Sequence, residues 1–251
     1  MYKLSIAIIT QNEEQNIRRC LESLRWADEI VVADSGSVDK TIAICQEFNC
    51  RIINTPWLGF GATKQLAVDN CSNDWVLVID ADEVITGRLE KKIKQILLNP
   101  DHDGYRIKRI SFYLGKMINH CGWNEDYTLR LFDRNKGRFN TKIVHESVQI
   151  LSGDIGLINE AMLHYTYPNI NSHIKKTINY AELGAEQKAT QESRSSIVNA
   201  CLRGIFKFLK MYLLQLGFLD GKEGFILSLN SAFGVYLKYI YVWEKGRISQ
   251  K

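Results

Sequence analysis

Short apolar runs alternate with helix-like segments along the first hundred residues, and this alternation constrains the fold more than any other feature of the sequence. The strand-like runs are Leu4–Ile9, Ile30–Ala33, Arg51–Asn54 and Trp75–Ile79. The segments with helical spacing of apolar side chains are Asn12–Trp26, Val38–Phe48, Gly61–Cys71 and Leu89–Leu98. Strands of this length separated by helices predict βαβ units, and therefore an α/β fold with a mostly parallel, Rossmann-like sheet flanked by helices.

Polar residues follow three of these strand-like runs at the point where each run ends. The three exits are Thr10-Gln11-Asn12-Glu13, Asp34-Ser35-Gly36-Ser37 and Asp80-Ala81-Asp82-Glu83. Ligands of open α/β sheets bind beyond the carboxyl ends of the strands. We therefore expect the three polar exits to converge on one edge of the sheet and to form a binding site there.

The third exit has two carboxylates separated by one small residue. Asp80 and Asp82, with Ala81 between them, can bind a divalent cation and a ribose hydroxyl together, and Mg²⁺ or Mn²⁺ with its oxygen ligands bridges readily to substrate phosphates. The alternative is that the two carboxylates simply solvate the end of a strand. A short motif of this kind is common by chance, so its weight comes from the two other polar exits.

The second exit and a lysine after two glycines add candidates for nucleotide binding. Gly36 permits a tight turn close to a ligand, and Asp34 can accept hydrogen bonds from a base or a ribose. Lys64 follows Gly59 and Gly61 and can reach a diphosphate. The alternatives are a capped turn between a strand and a helix, and a solvated lysine.

Together these segments resemble the family-2 glycosyltransferases of the GT-A fold. The resemblance rests on residues 8–14, 31–41 and 78–83, in the order and spacing of that family. It implies that Glu13 and Asp34 hold the nucleoside, that Lys64 lies near the base or the phosphates, and that Asp80 and Asp82 bind the ribose and the metal–diphosphate. The residues expected to bind the nucleotide sugar are Thr10, Asn12, Glu13, Asp34, Gly36, Lys64, Asp80 and Ala81, with Asp82 on the metal.

The second half resembles one branch of that family, the bacterial lipopolysaccharide core glucosyltransferases that modify inner-core heptose. The matching runs are Leu129–Phe132, Val144–Glu146, Leu163–Tyr167 and Gly217–Phe225. The resemblance implies transfer of a hexose, glucose from UDP-glucose, onto a lipid-linked core acceptor. It is also the only basis for naming that donor and that acceptor.

Inversion at the anomeric carbon requires one displacement, with a carboxylate that removes the proton of the acceptor hydroxyl. The candidates for this base are Glu146, Asp126 and Glu125, with a slight preference for Glu146. His145 is expected either to complete the metal shell or to orient its loop. For the acceptor, Trp123 is a candidate contact, and Arg130 is expected to bind an acceptor phosphate or to pair with Asp133.

Composition and charge limit the classes of partner. The net charge of +4 and pI of about 8.6 are only mildly basic, which argues against a nucleic-acid binder. The six cysteines contain no CxxC pair, so buried free thiols in a reducing compartment are expected rather than disulfides or zinc. Met1 leads directly into a strand-like run without a leader pattern. We therefore expect a cytoplasmic protein.

The chain is expected to divide into a donor half (residues 1–100), mixed strands that complete the same domain (101–167) and a helical C-terminal region (168–251). In that last region Asn171 or Ser172 is a plausible helix cap. Arg203, Lys207 and Lys210 form a basic stripe on an apolar helix, which suits either an anionic bilayer surface or a helix with one solvated edge. Phe225–Trp243 contains one charged residue, but its polar residues argue against a true membrane span. We therefore expect peripheral contact with the cytoplasmic face of the inner membrane.

Two alternatives belong to other functional classes. Asp80 and Asp82 also fit the haloacid-dehalogenase phosphatases, in which the first aspartate is a nucleophile and the second an acid, although that family usually has its motif on the first strand. The other alternative is a non-catalytic module that binds a sugar nucleotide. Release of phosphate from simple esters, or binding of UDP without turnover, would distinguish them from a transferase.

Overall fold

The computed structural model describes residues 2–124, 126–140, 147–151, 153–189 and 195–248. It contains two compact units. The first consists of Met1–Arg109 with Asp126–His164, and the second of Ile110–Glu125 with Tyr165–Lys251.

The strands and helices are as follows. The strands are β1 (Leu4–Thr10), β2 (Glu29–Asp34), β3 (Arg51–Asn54), β4 (Trp75–Asp80), β5 (Glu83–Ile85), β6 (Gly104–Tyr113), β7 (Lys116–Met117), β8 (Asp126–Asp133), β9 (Gly137–Phe139), β10 (Val148–Ile150) and β11 (Ile155–Tyr167). The helices are α1 (Ile17–Glu22), α2 (Thr41–Glu47), α3 (Phe60–Asp69), α4 (Gly87–Ile96), α5 (Ile170–Ala189), α6 (Ile197–Leu209) and α7 (Gly221–Ile248). A π-helical turn (Lys210–Leu214) and a 3₁₀ turn (Gly217–Asp220) lie between α6 and α7.

The main sheet has the strand order β3-β2-β1-β4-β8-β6-β11-β5, and β7 pairs with β6. The first four strands of this order are parallel, and β8 joins β4 in antiparallel orientation. Every residue of β1 is buried, because helices cover both faces of the sheet. Ile6 and Ile8 pack with the apolar sides of α1, α2 and α4, whereas Ala7 and Ile9 pack with α3.

The parallel strands end level with one another. Thr10 is paired with Asp34, Asp34 with Asn54, and Ile9 with Asp80. The carboxyl ends of β1, β2, β3 and β4 therefore lie side by side at one edge of the sheet, as the polar exits in the sequence predict.

In the second unit, α7 packs against α5 and α6 through small residues. A Cβ atom at Gly204 of α6 would lie 3.2 Å from Cβ of Tyr236 and 3.3 Å from the carbonyl oxygen of Ala232, both on α7. Gly234 of α7 faces Thr177 of α5 in the same way. These glycines allow the three helices to approach closely.

Two details of the second unit differ from the sequence predictions. Helix α5 begins at Ile170 and is capped by Asn169, whose Oδ1 accepts a hydrogen bond from the backbone N–H of Ser172, so the caps predicted at Asn171 or Ser172 are wrong. Cys201 is exposed, although the cysteines were expected to be buried. One segment of this unit, Gly217–Arg247, is long and apolar enough to cross a membrane, with a mean hydropathy of 1.3.

Candidate functional site

Asp34 organises the turn that follows β2. Its Oδ2 accepts hydrogen bonds from the backbone N–H groups of Gly36 (3.0 Å) and Ser37 (2.9 Å), and its Oδ1 accepts one from the Ser37 hydroxyl. Gly36 has a φ of +88°, a conformation that favours glycine. The turn therefore depends on Asp34 and Gly36, two of the site residues predicted from the sequence. It holds the buried Asp34 carboxylate at the edge of the sheet.

The loops after β1 and β2 are joined by hydrogen bonds. Asn12 has a φ of +57°, which asparagine tolerates better than most residues, and its Oδ1 accepts from the backbone N–H of Val38. The backbone N–H of Glu13 donates to the hydroxyl of Thr41, at the start of α2. Because these side chains fix one loop to the other, Asn12 has a structural role in addition to any contact with a ligand.

An open groove lies beside this turn, lined by Asp34, Gly36, Ser37, Ile42, Asn54, Thr55 and Pro56. Near it, the hydroxyl oxygens of Thr10 and Ser35 are buried, and neither has a hydrogen-bond partner among the described residues. Buried hydroxyls are normally satisfied, so two unsatisfied ones at the ends of adjacent strands indicate places where a ligand can supply the missing partner.

Asp80 lies within a network of buried charges. Its Oδ1 is 2.9 Å from the Lys64 ammonium, and its Oδ2 is 2.6 Å from the guanidinium of Arg130. Arg130 also donates to Oε1 of Glu83 at 2.8 Å, and Oε2 of Glu83 accepts from the backbone N–H of Asp80. Arg109 extends the network, 3.3 Å from Glu83. Lys64 is therefore buried rather than solvated.

The charges of this network determine the ionisation of Asp80. Burial by itself would raise the pKa of Asp80, but the positive charges of Arg130 and Lys64 outweigh it and hold that pKa well below its usual value. The nearby Cys20 thiol shows the opposite effect: burial, followed by the negative charges of Glu83 and Asp82, raises its pKa well above the usual value. The site therefore contains an ionised Asp80 carboxylate and a neutral Cys20 thiol, whose Sγ lies 3.7 Å from the backbone carbonyl oxygen of Asp80.

Asp82 faces a histidine. Its Oδ2 is 3.5 Å from Nε2 of His164, which lies on β11 opposite Glu83 of β5. No group of three or more His, Cys, Asp or Glu side chains in the described part of the chain is arranged to enclose a metal. Mg²⁺, however, usually takes one or two protein ligands and completes its shell with water and substrate phosphates. The Asp82 carboxylate supplies the oxygen ligand that such a site requires. The imidazole of His164 lies beside it as a further candidate ligand.

The remaining site residues of the sequence analysis fall in several places. Oδ2 of Asp126 accepts two hydrogen bonds from Arg109. Trp123 packs on the apolar cluster of the second unit, which contains Tyr113, Ile118, Cys121, Met211 and Leu227. Glu125, His145 and Glu146 lie outside the described residues.

Arg130 requires a correction. It pairs with Asp80 and Glu83 and not with Asp133, the partner that the sequence also suggested. Residues three apart on a strand point to opposite faces of the sheet, so Arg130 and Asp133 of β8 are directed apart.

Three residues of the site have no role among the sequence predictions: Glu83, which was predicted only as part of the third polar exit, Arg109 and His164. Glu83 directly follows the Asp80–Asp82 motif and His164 lies in one of the runs that carry the family resemblance, so both had a signal in the sequence. Arg109 had none.

Comparison with known protein families shows to which family the chain belongs. The model of glycosyl transferase family 2 matches residues 5–160, which include every described residue of the charge network and His164's partner Asp82. The chain belongs to glycosyl transferase family 2. The match leaves the phosphatase alternative without support, and the carboxylate that a phosphatase would use as its nucleophile is held by Lys64 and Arg130.

Glycosyltransferases of similar sequence align with nearly the whole chain. An uncharacterised glycosyltransferase of Rickettsia typhi is 31% identical over 250 residues, which cover 95% of this chain and 86% of the relative. The lipopolysaccharide core biosynthesis glycosyltransferase LpsC of Rhizobium meliloti is 30% identical over 250 residues, covering 96% and 92%.

Solved structures of other proteins have the same fold. The structure of Staphylococcus aureus TarS 1-349 in complex with UDP superposes with a TM-score of 0.51 and 17% identity, covering 99% of this chain and 92% of TarS 1-349. The complex of the same protein with UDP-GlcNAc gives a TM-score of 0.51 and 15% identity. The GT-A fold expected from the sequence is confirmed.

Proposed function

We propose that this family-2 glycosyltransferase is an inverting enzyme that transfers a hexose, glucose from UDP-glucose, to a lipid-linked lipopolysaccharide or lipooligosaccharide core acceptor. The observation that carries the proposal is the common edge of the parallel strands, where Asp34, Asp80 and Asp82 lie at or just beyond the strand ends. This arrangement suits a nucleoside diphosphate, with its base and ribose at one carboxylate and its phosphates near the others.

The nucleoside is proposed to lie in the groove lined by Asp34, Gly36 and Asn54. The unsatisfied hydroxyls of Thr10 and Ser35 would then gain hydrogen-bond partners, which favours the bound state. The structures of TarS with UDP and with UDP-GlcNAc are examples of this fold with that class of donor in another protein.

Asp80 is proposed to accept hydrogen bonds from the ribose. Lys64 and Arg130 keep it ionised and fix its orientation, so both act through Asp80 and contribute positive charge near the diphosphate. In this proposal Arg130 is a positioning residue for the donor site, in place of the acceptor contact that the sequence suggested.

Asp82 and His164 are proposed to hold Mg²⁺ or Mn²⁺ beside the diphosphate, with His145 as the further candidate from the sequence. Such a cation, when bound, offsets the negative charge that develops on the leaving nucleotide. The protein's own contribution is to hold a carboxylate and an imidazole 3.5 Å apart at the rim.

The base that activates the acceptor hydroxyl is proposed to be Glu146. Asp126, the described alternative, already accepts two hydrogen bonds from Arg109 on one oxygen, which favours a role in orienting Arg109. Glu125 remains the third candidate. Trp123 keeps the proposed role of an acceptor contact.

The acceptor class is supported by the sequence resemblance and by the function in the name of the Rhizobium meliloti relative, lipopolysaccharide core biosynthesis. A lipid-linked acceptor of this kind is proposed to be met at the cytoplasmic face of the inner membrane by a cytoplasmic, peripherally bound enzyme.

Release of UDP from UDP-sugars tests the proposal. Purified protein is incubated with UDP-glucose, UDP-GlcNAc or a GDP-sugar, with added Mg²⁺ or Mn²⁺ and then with excess chelator. We expect UDP release only with a divalent cation, and a loss of about a hundredfold or more in Asp82→Asn. Asp69→Asn, an exposed carboxylate at the end of α3, is the matched control and should retain activity.

The alternatives give different results in the same assay. Full turnover in excess chelator would contradict the metal-dependent mechanism. Binding of UDP without any release from a panel of donors and core-oligosaccharide acceptors would instead support the non-catalytic binding module.

A further inference from the structure

Helix α6 and the turn after it present a continuous stripe of large apolar side chains to solvent. Val198, Leu202, Phe206, Leu209 and Leu213 are all exposed, with 64% of the Phe206 surface accessible. Their spacing of three or four residues places them along one side of the helix. A soluble surface normally has isolated apolar side chains, so a stripe of this length indicates a surface that binds something.

The packing on the opposite side of α6 explains why this stripe is exposed among the described residues of the unit. Ala200 and Gly204 are buried, and Gly204 lies against Ala232 and Tyr236 of α7. The helix therefore packs through its small residues and directs its large apolar ones outward. This is the reverse of the usual orientation of a helix on a soluble protein.

The exposed stripe continues onto the start of α7. Phe225, Leu229 and Phe233, spaced by four residues, are exposed along one side of that helix. The rings of Tyr212 and Phe225 are in contact, with centroids 5.6 Å apart.

The segment between the helices adds to the same surface. Its exposed apolar residues are Leu214, Leu216, Phe218 and Leu219, and the Phe218 ring lies 6.2 Å from that of Tyr212. Leu214 has 75% of its surface accessible. We call the exposed apolar residues from Val198 to Phe233 the apolar surface.

Basic side chains accompany the apolar surface. Arg203, Lys207 and Lys210 lie on α6 and the π-helical turn, and no residue from Ile197 to Leu219 is acidic. Lys222 follows at the start of α7 and is exposed. The carboxylate of the nearby Asp220 is buried and accepts hydrogen bonds from the backbone of Asn119 and His120, so it does not offset these charges at the surface.

We propose that the apolar surface of the second unit binds the interface of an anionic lipid bilayer, with leucine and phenylalanine side chains inserted below the headgroups and the basic side chains among the lipid phosphates. Large apolar side chains flanked by lysine and arginine are the combination that binds such interfaces. The inference deepens the proposed function, because it assigns the membrane contact to specific residues.

A second copy of the chain fits this surface less well. In a twofold dimer the same patch meets itself, so the three basic residues of α6 and its turn would be placed in an interface to which residues 197–219 of the partner copy bring no acidic side chain. Lysine is also depleted at the centres of protein interfaces. An anionic lipid surface offers the opposite charge and requires no such pairing.

The contacts of α7 favour a surface-bound orientation over a membrane span. The amide of Asn230 donates to Nδ1 of His173 of α5, and Ser228 donates to the carbonyl oxygen of Gly224. The exposed apolar residues of α7 occupy one side of this helix, while another side of α7 packs on α5.

Flotation of the full-length protein with lipid vesicles tests the inference without donor or acceptor, so its failure is distinct from a failure of the proposed glycosyl transfer. We expect the protein to float with phosphatidylcholine vesicles that contain about a quarter phosphatidylglycerol, and roughly tenfold less with pure phosphatidylcholine.

Matched double variants test the apolar contribution. Phe206→Ser with Leu214→Ser should lower the bound fraction at limiting lipid roughly tenfold. Leu98→Ser with Leu157→Ser, two exposed apolar residues of the first unit, is the control and should bind as the wild type does. UDP binding measured on both variants confirms that each is folded. Equal vesicle binding by the two double variants would overturn the proposal.

A charge reversal tests the basic contribution. Lys210→Glu should reduce the preference for anionic vesicles roughly threefold or more, because it removes one attraction and adds one repulsion. Lys91→Glu, an exposed lysine of α4, should leave that preference unchanged. A protein that binds anionic and neutral vesicles equally would contradict the proposed role of the basic residues.

Cys201 provides a site-specific probe, because it is an exposed thiol on α6 next to Leu202. A polarity-sensitive fluorophore on Cys201 should shift to the blue with anionic vesicles, whereas the same dye at Leu98→Cys in a Cys201→Ser background should not. Carbonate-resistant insertion would show a span instead of surface binding. A dimer that Phe206→Ser with Leu214→Ser dissociates, without any vesicle binding, would show that a second copy covers the surface. Either result would overturn the proposal.

Discussion

The guanidinium of Arg130 lies 2.6 Å from Oδ2 of Asp80, although the two residues are 50 positions apart in the chain. The contact is possible because β8, which contains Arg130, pairs in antiparallel orientation with β4, which ends at Asp80. The antiparallel strand next to the parallel strands, β8, thereby supplies the cation that pairs with Asp80 at the edge of the sheet.

Loss of Arg130 should destabilise the protein strongly. Arg130→Met leaves the carboxylate of Glu83, which is fully buried, without its closest cation, and breaking a buried ion pair from one side typically costs about 3–5 kcal/mol. Urea unfolding at neutral pH measures the change. Arg138→Met, which removes an exposed pair with Asp69, should cost about 0.5 kcal/mol or less. Similar losses in the two variants would contradict the role assigned to Arg130.

His173 should make stability depend on pH. Burial lowers its pKa from 6.5 to about 4, and its Nδ1 accepts a hydrogen bond from Asn230 that protonation would break. The unfolded chain then binds a proton that the folded chain excludes, so this contribution is complete above pH 6.5 and is lost as the pH falls towards 4.

The size of the effect follows from the shift. Between pH 7.5 and pH 5 the wild type should lose about 2 kcal/mol of unfolding free energy more than His173→Gln, measured by urea unfolding at both values. His102→Gln, a half-buried histidine of the first unit, is the control variant and should lose as much as the wild type. A loss in His173→Gln equal to that of the wild type would show that His173 binds a proton as readily in the folded chain as in the unfolded chain.

The strands and helices of the first hundred residues could be predicted because their signal is local. Each apolar run or helical spacing is contained within a dozen residues, and the structure has an element at each one. Helix α1 is shorter than predicted, Ile17–Glu22 against Asn12–Trp26, because residues 12–14 form hydrogen bonds with the loop after β2. That difference arises from a contact between two loops, which helical periodicity does not reveal.

The side chains that contact the carboxylates of the site could not be predicted, again because their positions depend on contacts between distant parts of the chain. The convergence of Thr10, Asp34 and Asp80 follows from parallel strands alone and was predicted. The positions of Arg130 and His164 depend on which strands β8 and β11 join and in which register, and hydrophobic pattern leaves both open. The sequence therefore indicates the carboxylates of the edge but not the cations and the imidazole that face them.

Thr10 should affect ligand binding without affecting stability. Its buried hydroxyl has no partner among the described residues, so Thr10→Val removes no hydrogen bond from the free protein and should change the unfolding free energy by less than about 0.5 kcal/mol. If the hydroxyl bonds the nucleotide, the Kd for UDP should rise about five- to tenfold, measured by titration calorimetry.

The control for Thr10 is Thr63→Val. The Thr63 hydroxyl donates to the carbonyl oxygen of Gly59 at 2.8 Å in a buried position, so its loss should cost about 1 kcal/mol of stability and leave UDP affinity unchanged. An unchanged Kd in Thr10→Val would remove Thr10 from the proposed nucleotide site.

The three candidate bases should separate by the kinetic constant that each variant changes. Glu146→Gln should lower kcat about 10²–10⁴-fold with little effect on the KM for the donor, because a general base acts in the transition state. Asp126→Asn weakens the ion pair with Arg109. It should therefore lower the stability of the protein and raise the donor KM, with a smaller loss in kcat. Glu125→Gln should have little effect on either. Steady-state kinetics with a core-oligosaccharide acceptor distinguishes these outcomes, and a loss of kcat confined to Asp126→Asn or Glu125→Gln would transfer the role of the base to that residue.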